Sequence, residues 1–228
     1  MNKTQIVTKT KARSRRKARS STNDSRGFSL IELMVALGVT MVIMVVAGRM
    51  LSMTMNVRTR ENQRSEAVAD VQRALQMMTR EISNAGLGLT SNGITSDVPT
   101  ATEFGEIRVR SNLDAFPPSA DNDTADADED VVFSLINDGT VSPPQRFITR
   151  QDVNTKKISQ LANRVDALQF DFLNDDGTAA TPADAERIRI SVSVTLPAVG
   201  TAGQSGYQPA SRIRLQSEAT LRNRLLTK

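Results

Sequence analysis

Residues 28–48 form an unbroken apolar run that contains one charge, Glu32. At about 1.5 Å per helical residue, these twenty-one residues span about 31 Å, the hydrocarbon thickness of a bilayer. A chain with such a segment either crosses a membrane or hides the segment against other helices. A carboxylate at the centre of a spanning helix costs about 2.5–3.5 kcal/mol on insertion scales, so an intramembrane acid is a functional candidate. Glu32 is that candidate. The plainer alternative is that Glu32 sits near the membrane edge and reaches headgroup water.

The flank before this run is strongly basic. Residues 1–27 hold nine Lys and Arg (Lys3, Lys9, Lys11, Arg13, Arg15, Arg16, Lys17, Arg19, Arg26) against Asp24 alone, a net charge of +8. The whole chain carries +4, which leaves −4 for residues 28–228. The basic character of the protein therefore belongs mostly to its first 27 residues and argues little for nucleic-acid binding. By the positive-inside rule such a flank stays cytoplasmic and the C-terminal bulk is translocated. A secretory signal peptide fits less well. The apolar run is longer than about 7–15 residues, and only Ala47-Gly48-Arg49 imitates a small-residue cleavage site after it.

The chain contains no Cys and no His. Thiol nucleophiles, Ser-His-Asp triads, Cys/His zinc centres and disulfides are thereby excluded, and with no visible nucleophile-base pair the reading is of a non-enzyme without a cofactor. An exported domain of this composition must draw its stability from its core.

Beyond Gly48 neither Pro nor a Gly cluster interrupts the helical signal until Gly86-Leu87-Gly88. Val68, Val71, Leu75, Met78, Ile82 and Ala85 recur at spacings of three and four and predict one apolar face. The expectation is one helix over 28–85, closed by Gly86 in the left-handed conformation. Residues 86–104 read as a connection rich in turn formers. Period-two alternation then predicts strands around Ile107/Val109, 131–136, 147–149, Leu168/Phe170/Phe172, Ile188 to Leu196 and Ile213 to Leu221. Such alternation buries one face of an antiparallel sheet. The predicted fold is α+β: a long N-terminal helix, its first half transmembrane, packed against a C-terminal antiparallel sheet. The expected divisions are a leader (1–27), a membrane and assembly half-helix (28–55) and an exported α+β domain (56–228).

The segment Gly27-Phe28-Ser29-Leu30-Ile31-Glu32-Leu33 resembles the type IV prepilins, in which a short basic leader ends in Gly and is followed by Phe, Ser or Thr, Leu, Ile or Leu, Glu and an apolar helix. The resemblance implies cleavage between Gly27 and Phe28 by a prepilin peptidase, N-methylation of Phe28, and a role for Glu32 in subunit assembly. It also implies other pilin subunits as partners, and storage in the inner membrane before incorporation into a fibre. More loosely, residues 71–86, 163–177 and the closing strands resemble PilW-type minor pilins and the related J-type minor pseudopilins. The implied function is to help initiate or cap a type IV pilus. The alternatives are a minor pseudopilin of a type II secretion system, or a tip-located adhesin or DNA-binding module whose function sits on the loops 86–104 and 111–130.

Three further features were weighed as sites. The acidic run 121–130 fails the EF-hand pattern at Ala125, Asp126 and Val132 and reads as a solvated loop. Asp171, Asp175 and Asp176 offer oxygens for Ca²⁺ but fit ordinary Asp-Asp-Gly turn chemistry better. Arg212, Arg214, Arg222, Arg224 and Lys228 could touch phosphates. With one Tyr and no Trp there is no stacking platform, so a strand's polar face and a charged tail are the favoured reading.

Overall fold

The computed structural model describes residues 27–97, 105–113, 123–140 and 145–223. The leader's basic residues, Asp121, Arg224 and Lys228 lie outside these ranges, as do parts of the loops 86–104 and 111–130. The chain forms two compact units that divide at Val46 and Ala47. One helix runs through both.

That helix, α1 (Leu30–Ser83), has two different surfaces along its length. Every side chain from residue 27 to 55 is exposed, including Leu30, Leu37, Met41 and Leu51. An 18-residue window here has a mean hydropathy of 2.6, long and apolar enough to cross a membrane. Further on, the periodicity becomes one-sided: Val71, Ala74, Leu75, Met78, Ile82 and, just past the helix, Ala85 are buried in the core of the second unit. Val68, expected on the same face, is only half-buried.

The helix ends as its Gly predicts. Gly86 has φ 74°, and a Cβ there would approach the Ser91 carbonyl oxygen to 2.6 Å, so only Gly fits. The last carbonyls find partners outside the helix: Asn223 Nδ2 donates to Asn84 O and Ala85 O, and the Arg222 amide donates to Ser83 O at 3.3 Å.

Eight strands follow among the described residues, all paired antiparallel. They are β1 (Ile94–Thr95), β2 (Glu106–Arg110), β3 (Asp130–Asp138), β4 (Gln145–Asp152), β5 (Ile158–Asn163), β6 (Ala167–Leu173), β7 (Arg187–Leu196) and β8 (Ser211–Thr220). The expected single sheet is in fact two, one ordered β1-β2-β3-β4-β5 and the other β6-β7-β8. They approach each other where the Gly105 amide donates to Leu168 O at 2.7 Å. A Cβ on Gly105 would lie 2.5 Å from that oxygen, so the close approach needs Gly. Both inner faces and the helix share one core, to which Ile107, Phe133 and Ile148 contribute from the first sheet and Leu168, Ile190 and Val192 from the second.

Strand β8 matches β7 residue for residue over its whole length, from Arg187↔Thr220 to Leu196↔Ser211, with no bulge. Its other edge is unpaired among the described residues. It also runs alongside α1 in the same direction: Ser211 meets Arg60, Ser217 meets Thr79, and Arg222 beyond its end meets Ser83.

The loop between β7 and β8 is clasped to α1 by Arg60. Although it is a cation, Arg60 is only 8 % exposed; it donates to Pro197 O (2.5 Å), Pro209 O (2.8 Å) and Ser211 Oγ (2.6 Å). Among the described residues its partners are carbonyl dipoles and a hydroxyl, which solvate the charge.

Candidate functional site

The N-terminal segment begins in open backbone. A Cβ added to Gly27 would meet nothing within 4 Å, and Phe28 is 85 % exposed. Helix α1 starts at the next turn, where Leu33 N donates to Ser29 O at 3.1 Å, which makes Ser29 the N-cap. Glu32 stands in the first turn and reaches back, its Oε2 accepting from the Ser29 amide at 3.4 Å. Ser29-Leu30-Ile31-Glu32 thus has the spacing of a capping box and forms its Glu-to-amide half, with the carboxylate placed at the positive end of the helix dipole. The Ser-x-x-Glu spacing before an apolar run is the sequence signal of this local use.

The rest of the apolar stretch holds its few polar groups internally. Thr40 Oγ1 donates to Ala36 O at 2.7 Å, and Thr54 Oγ1 donates to Met50 O at 2.9 Å, so neither hydroxyl needs an outside partner. Glu32 is the one charged side chain over 28–48, and the surface around it is apolar on all sides. What the arrangement offers is an unburied apolar helix whose head is accessible and carries one carboxylate.

The family model of the prokaryotic N-terminal methylation motif matches residues 22–48. The chain carries a prokaryotic N-terminal methylation motif. The match supports a type IV pilin-like protein, and the apolar helix beside it fits membrane anchoring. No curated protein and no solved structure matches the chain. The motif covers Gly27, Phe28 and Glu32, and the second unit lies beyond it.

In that domain the acidic run is not simply solvated, contrary to the sequence reading. Its last two members, Glu129 (2 % exposed) and Asp130 (4 %), are buried. Asp130 takes a bidentate pair from Arg108, with Nε at 2.7 Å, and Glu129 accepts the amides of Leu113 and Asp126. Arg150 links Asp128 to Glu81 of α1. The partners come from β2, β4 and α1, elements distant in sequence, so alternation alone could not reveal them. Among the described residues no group of three or more carboxylates is arranged to hold a metal ion.

Asp176 accepts from Thr178 N and Thr178 Oγ1 around Gly177, whose φ is 85°. This is the turn chemistry that the sequence favoured. Two arginines of the second sheet are likewise engaged: Arg189 pairs with Glu218 at 2.9 Å, and Arg214 donates to Ser191 Oγ at 3.1 Å. They form a strand's polar face.

A residue that the sequence reading passed over, Asp152, organises the segment 123–130. Its carboxylate accepts the amides of Asp128, Asn154 and Thr155, each at 3.0 Å. The signal was present in Asp152-Val153-Asn154-Thr155, an Asx-turn sequence. Burial alone pushes this carboxyl up, but the Thr155 and Asp128 amides, the Thr155 hydroxyl and the Asn154 amide outweigh it and hold it below the usual carboxylate range. A carboxylate depressed in the folded state stabilises fully above its unfolded pKa and loses that contribution as pH falls through its folded pKa. Glu81 goes the other way, raised chiefly by burial against the pull of Arg150, so it favours folding at low pH and loses that contribution as pH rises. We expect Asp152→Asn to lower the urea midpoint of the full chain in detergent at about pH 7. The gap to wild type should shrink as the pH falls below the ordinary carboxylate range. A gap independent of pH would show that Asp152 acts by packing rather than charge.

Proposed function

We propose that this chain is a minor pilin subunit, cut by a prepilin peptidase between Gly27 and Phe28, methylated on the new Phe28 amine, and used to initiate or cap a type IV pilus. The methylation motif over 22–48, set directly on an apolar helix with no partner in the chain, carries the reading. The open backbone at Gly27 and the exposed Phe28 suit a peptidase that must bring an extended chain to its site. Inner-membrane storage follows from the span. Partnership with other pilin subunits follows from an apolar surface that must be covered again once it leaves lipid. The subunit is structural in this reading, not catalytic. A minor pseudopilin of a type II secretion system would share the same processing and the same helix, and the neighbouring genes separate the two.

The boundaries belong to the proposal: leader 1–27, membrane and assembly half-helix 28–55, exported domain 56–228. Mass analysis of the membrane-bound protein should find a chain that starts at methylated Phe28. An intact leader in cells with active prepilin peptidase, or a cut near Gly48, would overturn the assignment.

A further inference from the structure

We infer that the loop joining β7 and β8, residues 197–210, is a lipid-facing surface that rests in the headgroup layer of the membrane. The inference builds on the anchoring of α1 proposed above and adds a second contact with the bilayer, made by the folded domain.

Position is the first argument. Contacts of this loop step down α1 toward its membrane end. Pro197 and Pro209 sit at Arg60, Gly200 lies against Asn56, and Gly206 lies against Met53. A Cβ on Gly206 would be 2.7 Å from Met53 Cα, so the loop backbone touches the helix backbone there. Met53 is five residues past Gly48, the end of the apolar run, or about 7.5 Å along the helix. The headgroup layer is about 5–7.5 Å deep on each side of the hydrocarbon. At Gly206 the loop therefore stands at the boundary of that layer, and the tip, 201–205, joins this point to Gly200 beside Asn56.

Composition is the second. In a chain that is 24% charged, residues 197–210 contain no Asp, Glu, Lys or Arg. They contain instead Ala198, Val199, Ala202, two prolines and Tyr207, the chain's only tyrosine. Tyr is enriched at membrane interfaces because its ring is apolar and its hydroxyl is wet. Rigidity is the third. The loop is not a free tail: Val199 and Gln208 exchange both backbone hydrogen bonds at 2.9 Å, and the Arg60 clasp fixes its base. The tip residues from Gly200 to Ser205 are nonetheless exposed in the chain alone.

The absence of Trp and Cys makes the test direct. In the full chain in phosphatidylcholine vesicles, Tyr207 emission should be quenched by a nitroxide on the lipid headgroup severalfold more than by one at mid-chain. A fluorophore on Ala202→Cys should behave the same way and be shielded from aqueous iodide, and one on Val42→Cys should respond to the mid-chain nitroxide. If the Val42 probe is in lipid while the Ala202 probe stays open to iodide and blind to lipid nitroxide, the loop contact is wrong and the anchoring stands. If the Val42 probe is not in lipid, anchoring fails and the loop contact fails with it.

Discussion

A Glu32→Val chain is expected to be cut and inserted normally yet to be nearly absent from sheared fibres. Before cleavage Glu32 needs no distant partner, because it caps its own helix through the Ser29 amide. Cleavage at Gly27 would change the electrostatics, since Phe28 then carries a free, cationic amine at the head of an apolar rod. In a growing fibre that amine leaves headgroup water, and a carboxylate on a neighbouring helix can neutralise it. Removing one partner of such a poorly solvated pair strands the other at a cost of about 3–5 kcal/mol, a loss of more than a hundredfold in incorporation if it is not relieved elsewhere. Glu32→Gln separates the two roles. It keeps a side-chain oxygen for the capping bond but supplies no charge, so under the intersubunit reading it also fails to assemble. If Glu32 serves only as a cap or as the partner of its own amine, both variants assemble, and immunoblots of sheared against membrane-retained protein show wild-type ratios.

The second large effect is expected from Leu75→Asp. Leu75 is 6 % exposed on the face of α1 that touches both sheets, beside Val71, Met78 and Ile82. Aspartate there loses about 2–5 kcal/mol of packing and introduces a buried carboxylate into a cluster of apolar side chains. The sum rivals the whole stability of a domain this size. The variant should lose its cooperative melt by circular dichroism. Arg73→Asp, on the exposed side of the same turn, should melt almost as wild type does. A cooperative melt for Leu75→Asp would refute the assigned face.

The face of α1, its closing Gly86 and the longer strands were legible because each rests on local spacing. Ile188 to Leu196 alternate without interruption, and the structure buries that row. Strand β1 was missed because two residues carry no period, and β5 because Ile158-Ser-Gln-Leu-Ala-Asn163 mixes exposed and half-buried positions next to a register shift at Ile148/Thr149. The division into two sheets was invisible for a different reason. Alternation marks the buried face of each strand but not its neighbours, so it cannot show that β5 and β6 belong to different sheets. At the candidate site, the motif itself was fully readable, as was the capping role of Glu32 had the Ser-x-x-Glu spacing been applied. The clasp of Arg60 was not, since nothing local distinguishes an arginine that meets carbonyls more than a hundred residues away from one that faces water.

The open edge of β8 bears on how crowded copies avoid sticking together. Ten residues of edge with no proline and no bulge would ordinarily invite a second copy to add its own β8, and antiparallel addition is the stronger kind. But β8 runs in the same sense as the part of α1 beside it, and copies anchored as proposed would all point the same way. Two such strands would meet side by side in parallel. Anchored in this way, the bilayer would act as a chaperone by orientation: it would withhold the antiparallel encounter that the bare edge accepts, and a fragment without residues 28–55 would lose that protection.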